Sequence, residues 1–418
     1  METAYLIAIM PGPAADADEE PLAELKELLA TAGAGYAGQM IQRRDAPVAA
    51  TYFGKGKLQE LQSELARIEP DLVVVEDELT PTQQRNLEDR LGVRVIDRAA
   101  LILDIFSQHA HTAEGKLQVE LAQLQFNLTR MRGKGTQLSR LGGGIGTRGP
   151  GETKLEVDQR VARKRIGTLK RRLRDVSLSR EVMRRSRLSS QLPLVAMAGY
   201  TNTGKSSLLN ALTSGGVSVN DRLFETLDPT TRAYEFGGRT YLLTDTVGFI
   251  RKLPHQLIEA FRSTLEETLV AHLILHVADA SVPEEELEDV IGVVDGVLDE
   301  IAAASMPRLL VLNKCDLLEP GQEAFLRRTW PDAVLTSALT GAGLDTLRQR
   351  IADFFNSRLE SVELFFPYGN GRLIGEIYRI GTDVELENRA DGVVVRARLP
   401  RDEAARFARF KKPPADLR

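Results

Sequence analysis

Residues 199–206 read Gly-Tyr-Thr-Asn-Thr-Gly-Lys-Ser, with two glycines, a lysine and a serine at a characteristic spacing. This spacing matches the G-x-x-x-x-G-K-[ST] pattern of phosphate-binding loops. The apolar run 192–198 predicts a buried strand before it, and residues 207–212 predict a helix after it. In that order, backbone N–H groups surround phosphates at the positive end of the helix. We expect a nucleotide site formed by Gly199, Tyr200, Thr201, Asn202, Thr203, Gly204, Lys205, Ser206 and Ser207.

A second motif, Asp-Thr-Val-Gly at residues 245–248, follows an alternating, strand-like run. Together with the loop it predicts how a triphosphate and Mg²⁺ are held. Lys205 should reach the β- and γ-phosphates, and the Ser206 hydroxyl should ligate Mg²⁺. Asp245 should hold Mg²⁺ through water, and the Gly248 N–H should meet the γ-phosphate. The motif also contributes Thr246 and Val247.

A threonine pair between these motifs supplies a further candidate metal ligand. Residues 228–232 read Asp-Pro-Thr-Thr-Arg. A threonine here should complete the Mg²⁺ coordination only when a γ-phosphate is present. The Thr-Thr-Arg pattern favours Thr231, with Thr230 as the alternative. A lone threonine would more simply be a helix cap or turn hydroxyl, so the prediction depends on the neighbouring motifs.

The identity of the base is predicted by residues 313–316, Asn-Lys-Cys-Asp, at the end of a predicted strand. This N-K-x-D pattern is similar to the guanine-reading motif of the GTPase superfamily. The Asp316 carboxylate can accept two hydrogen bonds from N1–H and N2–H₂ of guanine, which adenine cannot match. We expect Asn313 to brace neighbouring loops and the Lys314 stem to cover the base.

Residues 336–339, Thr-Ser-Ala-Leu, resemble the last motif of the same superfamily. The Ala338 N–H should meet guanine O6, with Ser337 and Leu339 beside it. Alone, this segment would be a polar turn between a strand and a helix. Together, four motifs in the right order, each at the end of a strand, predict a guanine nucleotide site.

The whole set resembles the translation-factor-related GTPases, and within them the HflX family of the Obg–HflX group. The most specific matches lie outside the nucleotide site, at residues 142–156 and 224–232, with further matches at 52–57 and 245–250. The resemblance covers nearly the whole chain. It implies GTP as substrate, Mg²⁺ as cofactor and the large ribosomal subunit as partner, with a role in splitting or rescuing stalled ribosomes under stress. It also implies that the catalytic residues are Lys205, Asn202, Thr231 and Gly248.

Two residues depart from many GTPases. Phe249 follows Asp-x-x-Gly where many members have a glutamine that orients the attacking water, so we expect slow intrinsic hydrolysis. Phe249 can also simply pack. Asn202 occupies a loop position where related GTPases bind a monovalent cation, which implies K⁺ beside the phosphates. The alternative role for Asn202 is a hydrogen bond within the loop.

Composition points to a large intracellular chain with an uneven charge distribution. A length of 418 residues alone suggests about three domains. A single cysteine suits the cytoplasm. No apolar run approaches a membrane-spanning length, and we expect a monomer. Residues 130–187 carry 18 Lys and Arg against 5 Asp and Glu, a net charge of +13 in a chain of net charge −5. This block indicates either a polyanionic partner or a solvated coiled-coil face.

The fold class that we expect is α/β, with four domains along the chain. Residues 1–113 alternate short strands and helices and predict a small parallel α/β domain. Residues 114–190 predict two basic helices that form a hairpin. A P-loop GTPase domain is expected at 191–357 and a small C-terminal α+β domain at 358–418.

The connector of the hairpin, residues 133–151, contains eight glycines. Such a loop lets backbone N–H groups and arginines approach phosphates closely. We expect Arg140 and Arg148 to bind RNA, with disorder as the alternative.

Two functions therefore compete. The first is a ribosome-associated GTPase, and the second is a non-catalytic RNA-binding assembly or storage factor with GTP as a structural ligand. Asp316 disfavours a third, an ATPase that remodels RNA.

Overall fold

The computed structural model of the chain describes residues 1–12, 22–131, 154–189, 192–213, 223–224, 230–252, 270–301, 303 and 305–411. Three sheets and a helical hairpin follow one another along the chain, which confirms the predicted fold class. The domain boundaries drawn from the sequence stay predictions. Within the described residues, no helix combines the length and apolar character needed to cross a membrane.

A four-stranded parallel sheet in the order β2-β1-β3-β4 forms the N-terminal unit. Its strands are β1 (Thr3–Met10), β2 (Gly35–Arg43), β3 (Leu72–Val75) and β4 (Arg94–Asp97). Its helices are α1 (Ala23–Thr31), α2 (Lys55–Ile68), α3 (Pro81–Leu91) and α4 (Arg98–His109). Alternate residues of β1 and β3 enter two different apolar clusters, so both faces of the sheet are covered.

Local sequence explains where two of these helices begin. Thr80 and Gln83 form a capping box around Pro81 at the start of α3. Asp97 ends β4 and accepts a hydrogen bond from the Ala100 N–H at 2.9 Å, which caps α4. The sequence predicts strands at 5–9, 72–75 and 93–96 and helices at 21–30, 57–68 and 81–91 in this unit, so neither β2 nor α4 was expected.

Two long helices form the hairpin, α5 (Ala113–Met131) and α6 (Lys154–Ser189). They pack against each other, with Ala162 and Leu169 of α6 buried. Arg165 of α6 makes a two-pronged ion pair with Glu120 of α5, at 2.7 and 2.9 Å. With 36 residues, α6 is about 54 Å long.

The central unit contains a six-stranded sheet in the order β10-β9-β8-β5-β7-β6. The pairs are parallel except that β6 runs antiparallel to β7. The strands are β5 (Leu194–Gly199), β6 (Thr230–Phe236), β7 (Arg239–Asp245), β8 (Leu273–Asp279), β9 (Arg308–Asn313) and β10 (Val334–Leu335). The described helices are α7 (Lys205–Thr213), α8 (Glu284–Glu300), α9 (Gln322–Thr329) and α10 (Leu344–Asn356).

A small antiparallel sheet, in the order β11-β13-β12, forms the C-terminal unit. Its strands are β11 (Leu359–Pro367), β12 (Thr382–Arg389) and β13 (Gly392–Pro400). The helices α11 (Gly371–Ile380) and α12 (Arg401–Arg406) cover one face through a shared apolar cluster.

Two residues of the segment between α7 and β6 lie inside the N-terminal unit. Leu223 and Phe224 are buried in the apolar cluster that α1 and α4 form with the sheet. The Phe224 ring meets Phe106 of α4 edge-to-face, with 4.6 Å between ring centroids. The Leu223 N–H donates to the Thr31 hydroxyl at 3.3 Å. The central unit is therefore fixed to the N-terminal unit by apolar packing.

Candidate nucleotide-binding site

The phosphate-binding loop joins β5 to α7, at the carboxyl edge of the central sheet. Gly204 has a φ of +82°, and a Cβ there would collide with the Asn313 amide, so only glycine fits. The Thr203 hydroxyl donates to the Tyr200 carbonyl at 3.0 Å. Asn202 has a φ of +60°, in the left-handed region. Loop and helix therefore have the arrangement that the sequence pattern predicted.

Lys205 is the first residue of α7 and is 7% exposed. Its ammonium donates to the carbonyls of Gly199 and Tyr200, at 3.1 and 2.6 Å. Burial lowers the pKa of Lys205 to about 8, while the nearby Asp245 carboxylate favours the charged form. An anion bound at this loop would gain a strong interaction with the buried amine.

Two oxygen-bearing side chains that could ligate a metal ion lie beside Lys205. The Ser206 hydroxyl, at the start of α7, donates to Oδ2 of Asp245 at 2.6 Å. Asp245 ends β7 and is buried. Its neighbour Thr246 donates to the Met197 carbonyl at 2.7 Å and so fastens the strand end to β5. Hydroxyl and carboxylate oxygens are ligands that Mg²⁺ takes, so this pair fits that ion.

The two candidate threonines lie at the start of β6. The Thr231 hydroxyl hydrogen-bonds the Thr244 hydroxyl at 2.9 Å within the β6–β7 ladder. Thr230 is the residue directly opposite Asp245. If Thr231 donates this hydrogen bond, its oxygen keeps a lone pair for a metal, so both threonines stay candidates.

The segment after Asp245 runs along the phosphate loop. The Thr201 N–H donates to the Phe249 carbonyl at 2.7 Å, and the Phe249 N–H donates to the Gly199 carbonyl at 3.1 Å. Gly248 lies so close that a Cβ there would be 3.2 Å from the Lys205 ammonium. The Phe249 side chain is 2% exposed and packs with an apolar cluster of the central unit. Val247, beside Gly248, is also buried.

The predicted base-reading segments come together through Asn313, at the end of β9. Its amide Nδ2 donates to the Thr203 carbonyl at 2.9 Å. Its Oδ1 accepts from the Ala338 N–H at 3.1 Å and from the Thr336 hydroxyl at 3.3 Å. Asn313 thus bridges the phosphate loop and the segment after β10. For the Ala338 N–H to meet guanine O6, it would have to leave or share its bond to Asn313.

The remaining base-reading residues lie at the surface of this edge. Asp316 is exposed on the 3-10 helix Cys315–Leu317. Lys314 forms an ion pair of 2.7 Å with Asp279, a residue that the sequence motifs do not include. Ser337 is buried and Leu339 is 87% exposed. Ser207 follows Ser206 on α7.

A polar network that the sequence did not predict connects the loop to the N-terminal unit. The Tyr200 hydroxyl accepts the Arg251 N–H at 2.7 Å and donates to the Glu24 carboxylate. Glu24 also pairs with the buried Arg98, at 2.7 Å. Lys252 extends the network to Asp77 and Glu76, at 2.7 and 3.6 Å. Glu24 and Tyr200 lie 176 positions apart, so no local pattern could have paired them.

The predicted RNA-binding loop has no structural description. Residues 133–151, with Arg140 and Arg148, lie outside the described part of the chain. Its flanks, the end of α5 and the start of α6, are described. The assignment of RNA contacts therefore stays a prediction.

Known families and proteins match the chain over most of its length. Residues 19–107 match the family described as GTP-binding GTPase N-terminal, and residues 109–187 match GTP-binding GTPase Middle Region. Residues 194–314 match the family described as 50S ribosome-binding GTPase. A GTPase HflX of Caldanaerobacter subterraneus subsp. tengcongensis is 47% identical over 98% of this chain and 94% of its own. The GTPase HflX of Escherichia coli K12 is 42% identical, over 92% and 91%.

One solved structure is that of a GTP-binding protein from Sulfolobus solfataricus in complex with GDP. It is 25% identical, with a TM-score of 0.44, and the match covers 84% of this chain and 98% of that one. The family matches and the two relatives extend over the N-terminal, hairpin and central units alike. The chain belongs to the HflX family of GTPases, which are GTP hydrolases.

Proposed function

We propose that this chain binds the large ribosomal subunit in its GTP form, hydrolyses GTP when engaged there, and thereby separates or rescues stalled ribosomes under stress. The observation that carries the ribosomal part is the exposed basic surface of α6, described over residues 156–176. The match to the family described as 50S ribosome-binding GTPase supports it. The stress role rests on the resemblance to the family.

Exposed basic side chains follow one side of α6, which supports contacts with a nucleic-acid phosphate backbone. Arg163, Lys164, Arg171 and Arg172 are exposed, and the spacing of eight between the two pairs places all four within one half of the helix circumference, which does not contain the buried Leu169. The buried Leu169 faces α5 instead. Exposed lysines and arginines along one line neutralise successive phosphates, which supplies most of the affinity of non-specific nucleic-acid binding.

In this proposal, Arg140 and Arg148 act at the tip of the hairpin. The flanking helix α6 is about 54 Å long, so the tip can reach RNA far from the nucleotide site. Glycines allow a close approach of backbone N–H groups to RNA phosphates. The basic helix α6 would bind phosphates along its length, and the tip would contact RNA beyond the helix.

The residues of the nucleotide site take the following roles in the proposal. Lys205 binds the β- and γ-phosphates, the Gly248 N–H contacts the γ-phosphate, and Asp316 selects guanine. Mg²⁺, when bound, neutralises charge that develops on the phosphate oxygens. Ser206 would hold it directly and Asp245 through water, with Thr231, or Thr230 as the alternative, completing the set.

A dependence of hydrolysis on K⁺ is expected if Asn202 binds a monovalent cation. The rate in K⁺ should then be several-fold higher than in Na⁺ at equal ionic strength, because the cation stabilises charge that develops on the phosphates. Phosphate release in the two salts measures this effect. Asn202→Ala should remove the difference while GDP affinity, the control, stays similar in both salts. Equal rates for the parent protein in K⁺ and Na⁺ would exclude the cation role.

Nucleotide binding is expected to take up a proton at about pH 8.5. Burial lowers the pKa of Lys205 to about 8, and bound phosphates should raise it again because they favour the charged amine. GDP affinity should be constant below about pH 8 and fall by up to about tenfold per pH unit above it. Calorimetry in two buffers of different ionisation enthalpy measures the uptake. At about pH 7 the uptake should vanish; an unchanged uptake there would point to another group.

The ribosomal proposal is tested by sedimentation with separated ribosomal subunits. With a non-hydrolysable GTP analogue, the protein should sediment with the large subunit and not with the small one, and less so with GDP. Large subunits should also increase multiple-turnover phosphate release. Binding without stimulated turnover would favour the alternative, an RNA-binding assembly or storage factor with GTP as a structural ligand.

The proposed compartment is the cytoplasm, and the proposed oligomeric state is a monomer. A single cysteine, Cys315, suits the reducing cytoplasm. We expect the chain to work there as a monomer. Light scattering of the purified protein with and without nucleotide tests the monomer. A dimer in either state would contradict it.

A further inference from the structure

Lys314, expected to cover the base, is held by a carboxylate outside all of the sequence motifs. Asp279 ends β8 and lies in register with Asn313 of the neighbouring strand β9. Its Oδ2 contacts the Lys314 ammonium at 2.7 Å. The side chains of Lys314 and Asp279 are 28% and 17% exposed, so solvent screens this pair less than a surface pair.

The carboxylate of Asp279 is itself fixed by the turn that follows β8. Its Oδ1 accepts from both the N–H and the hydroxyl of Ser281, at 2.9 and 2.6 Å. The Ala280 N–H donates to the Asn313 carbonyl at 2.8 Å. Both oxygens of Asp279 are therefore committed, and the turn is fastened to the strand end that begins the base-reading motif.

The ion pair involves a residue whose backbone has an unfavourable conformation. Lys314 has φ 63° and ψ 32°, in the left-handed region that residues other than glycine seldom adopt. It directly precedes the 3-10 helix Cys315–Leu317, which carries Asp316. Holding the Lys314 side chain therefore stabilises the backbone from which Asp316 projects.

We propose that Asp279 is a positioning residue for guanine recognition and acts through Lys314. With its ammonium tethered to Asp279, the four-carbon stem of Lys314 is extended before the nucleotide arrives. A flat base then packs on a stem that has already lost its conformational freedom, so less entropy is lost on binding. This inference rests on the assignment of residues 313–316 to guanine.

The test compares Asp279→Asn with the parent protein. Asparagine keeps the shape and an oxygen for Ser281, but it loses the charge that holds Lys314. GDP should bind about 3- to 10-fold more weakly, mainly through faster dissociation. For GTP hydrolysis, KM should rise with little change in kcat. Ser281→Ala, which only loosens the carboxylate, should give a smaller effect in the same direction.

A double-mutant cycle separates positioning from a general structural role. Lys314→Met keeps an apolar stem and removes the ammonium. If Asp279 acts through that ammonium, Asp279→Asn should weaken GDP binding in the parent but have no further effect in the Lys314→Met background. Asp299→Asn, which breaks a surface ion pair with Arg308 on the same unit, is the matched control and should leave GDP affinity unchanged.

Two results would overturn the positioning role: unchanged GDP affinity in Asp279→Asn, or equal losses in both backgrounds of the cycle. Thermal melting of each variant without nucleotide identifies any loss of folded protein. The variant Asp316→Asn distinguishes a failure of the positioning role from a failure of the guanine assignment itself. If Asp316→Asn weakens GDP binding and Asp279→Asn does not, only the positioning role is wrong.

Discussion

Replacing Asp316 by asparagine is expected to weaken GTP binding roughly 10- to 150-fold and to shift the preference towards xanthine nucleotides. The cause is the loss of a charged acceptor for two guanine N–H groups, which costs about 1.5–3 kcal/mol. The 2-oxo group of xanthine needs a donor, which an amide supplies and a carboxylate does not. The Cys315 N–H donates to the Thr336 carbonyl at 3.0 Å, so the helix that carries Asp316 is tied to the segment before Ala338.

Titration with GTP and with xanthosine triphosphate measures both parts of this expectation. Asp332→Asn is the matched control, because the Asp332 side chain is 100% exposed in the same unit. It should leave both affinities unchanged. If Asp316→Asn binds GTP as tightly as the parent, Asp316 does not read the base.

Loss of both loop arginines is expected to impair activity on the ribosome without affecting the isolated GTPase. Arg140→Ala combined with Arg148→Ala removes two proposed phosphate contacts from the hairpin tip. Ribosome affinity should fall on the order of tenfold or more, and its dependence on salt should become shallower by roughly 1–2 units of the log–log slope. GTP affinity of the free protein should not change, since the site lies in another unit.

The measurement is large-subunit binding over a range of salt concentrations, with GTP affinity as the control. Lysine at both positions keeps the charge and should restore most of the affinity, although not any two-pronged contact. Arg171→Ala combined with Arg172→Ala, on the exposed side of α6, is the comparison. If the helix variant loses binding and the loop variant does not, the loop is only a linker.

The backbone arrangement of the candidate nucleotide site was predictable because its motifs are local in sequence. Residues 199–206 and 245–248 each carry a strand end and the turn after it, so their geometry follows from a few neighbouring residues. Asp279 and Lys314 are 35 positions apart, and their contact exists only because β8 and β9 are adjacent. A lone Asp at a strand end gave no signal of that contact.

The two missed elements of the N-terminal unit have physical reasons. Strand β2 lies at the sheet edge and contains glycines and glutamines, so it lacks the apolar alternation of a half-buried strand. Helix α4 is buried on most sides, between the sheet, α1 and α5, so its apolar residues form a run without a helical period. Both assignments need knowledge of what packs against the element.

Because Leu223 and Phe224 are buried in the N-terminal unit, the stability of that unit enters the binding free energy of any ligand that displaces them. Each apolar side chain contributes about 1.5–3 kcal/mol when fully buried. A ligand that draws this segment out of the cluster must supply that free energy from its own binding. By linkage, the cost is reciprocal: whatever loosens α1 and α4 raises the affinity of that ligand by the same factor. For such a ligand, Leu223 and Phe224 would couple two equilibria: unfolding of the N-terminal unit and ligand binding.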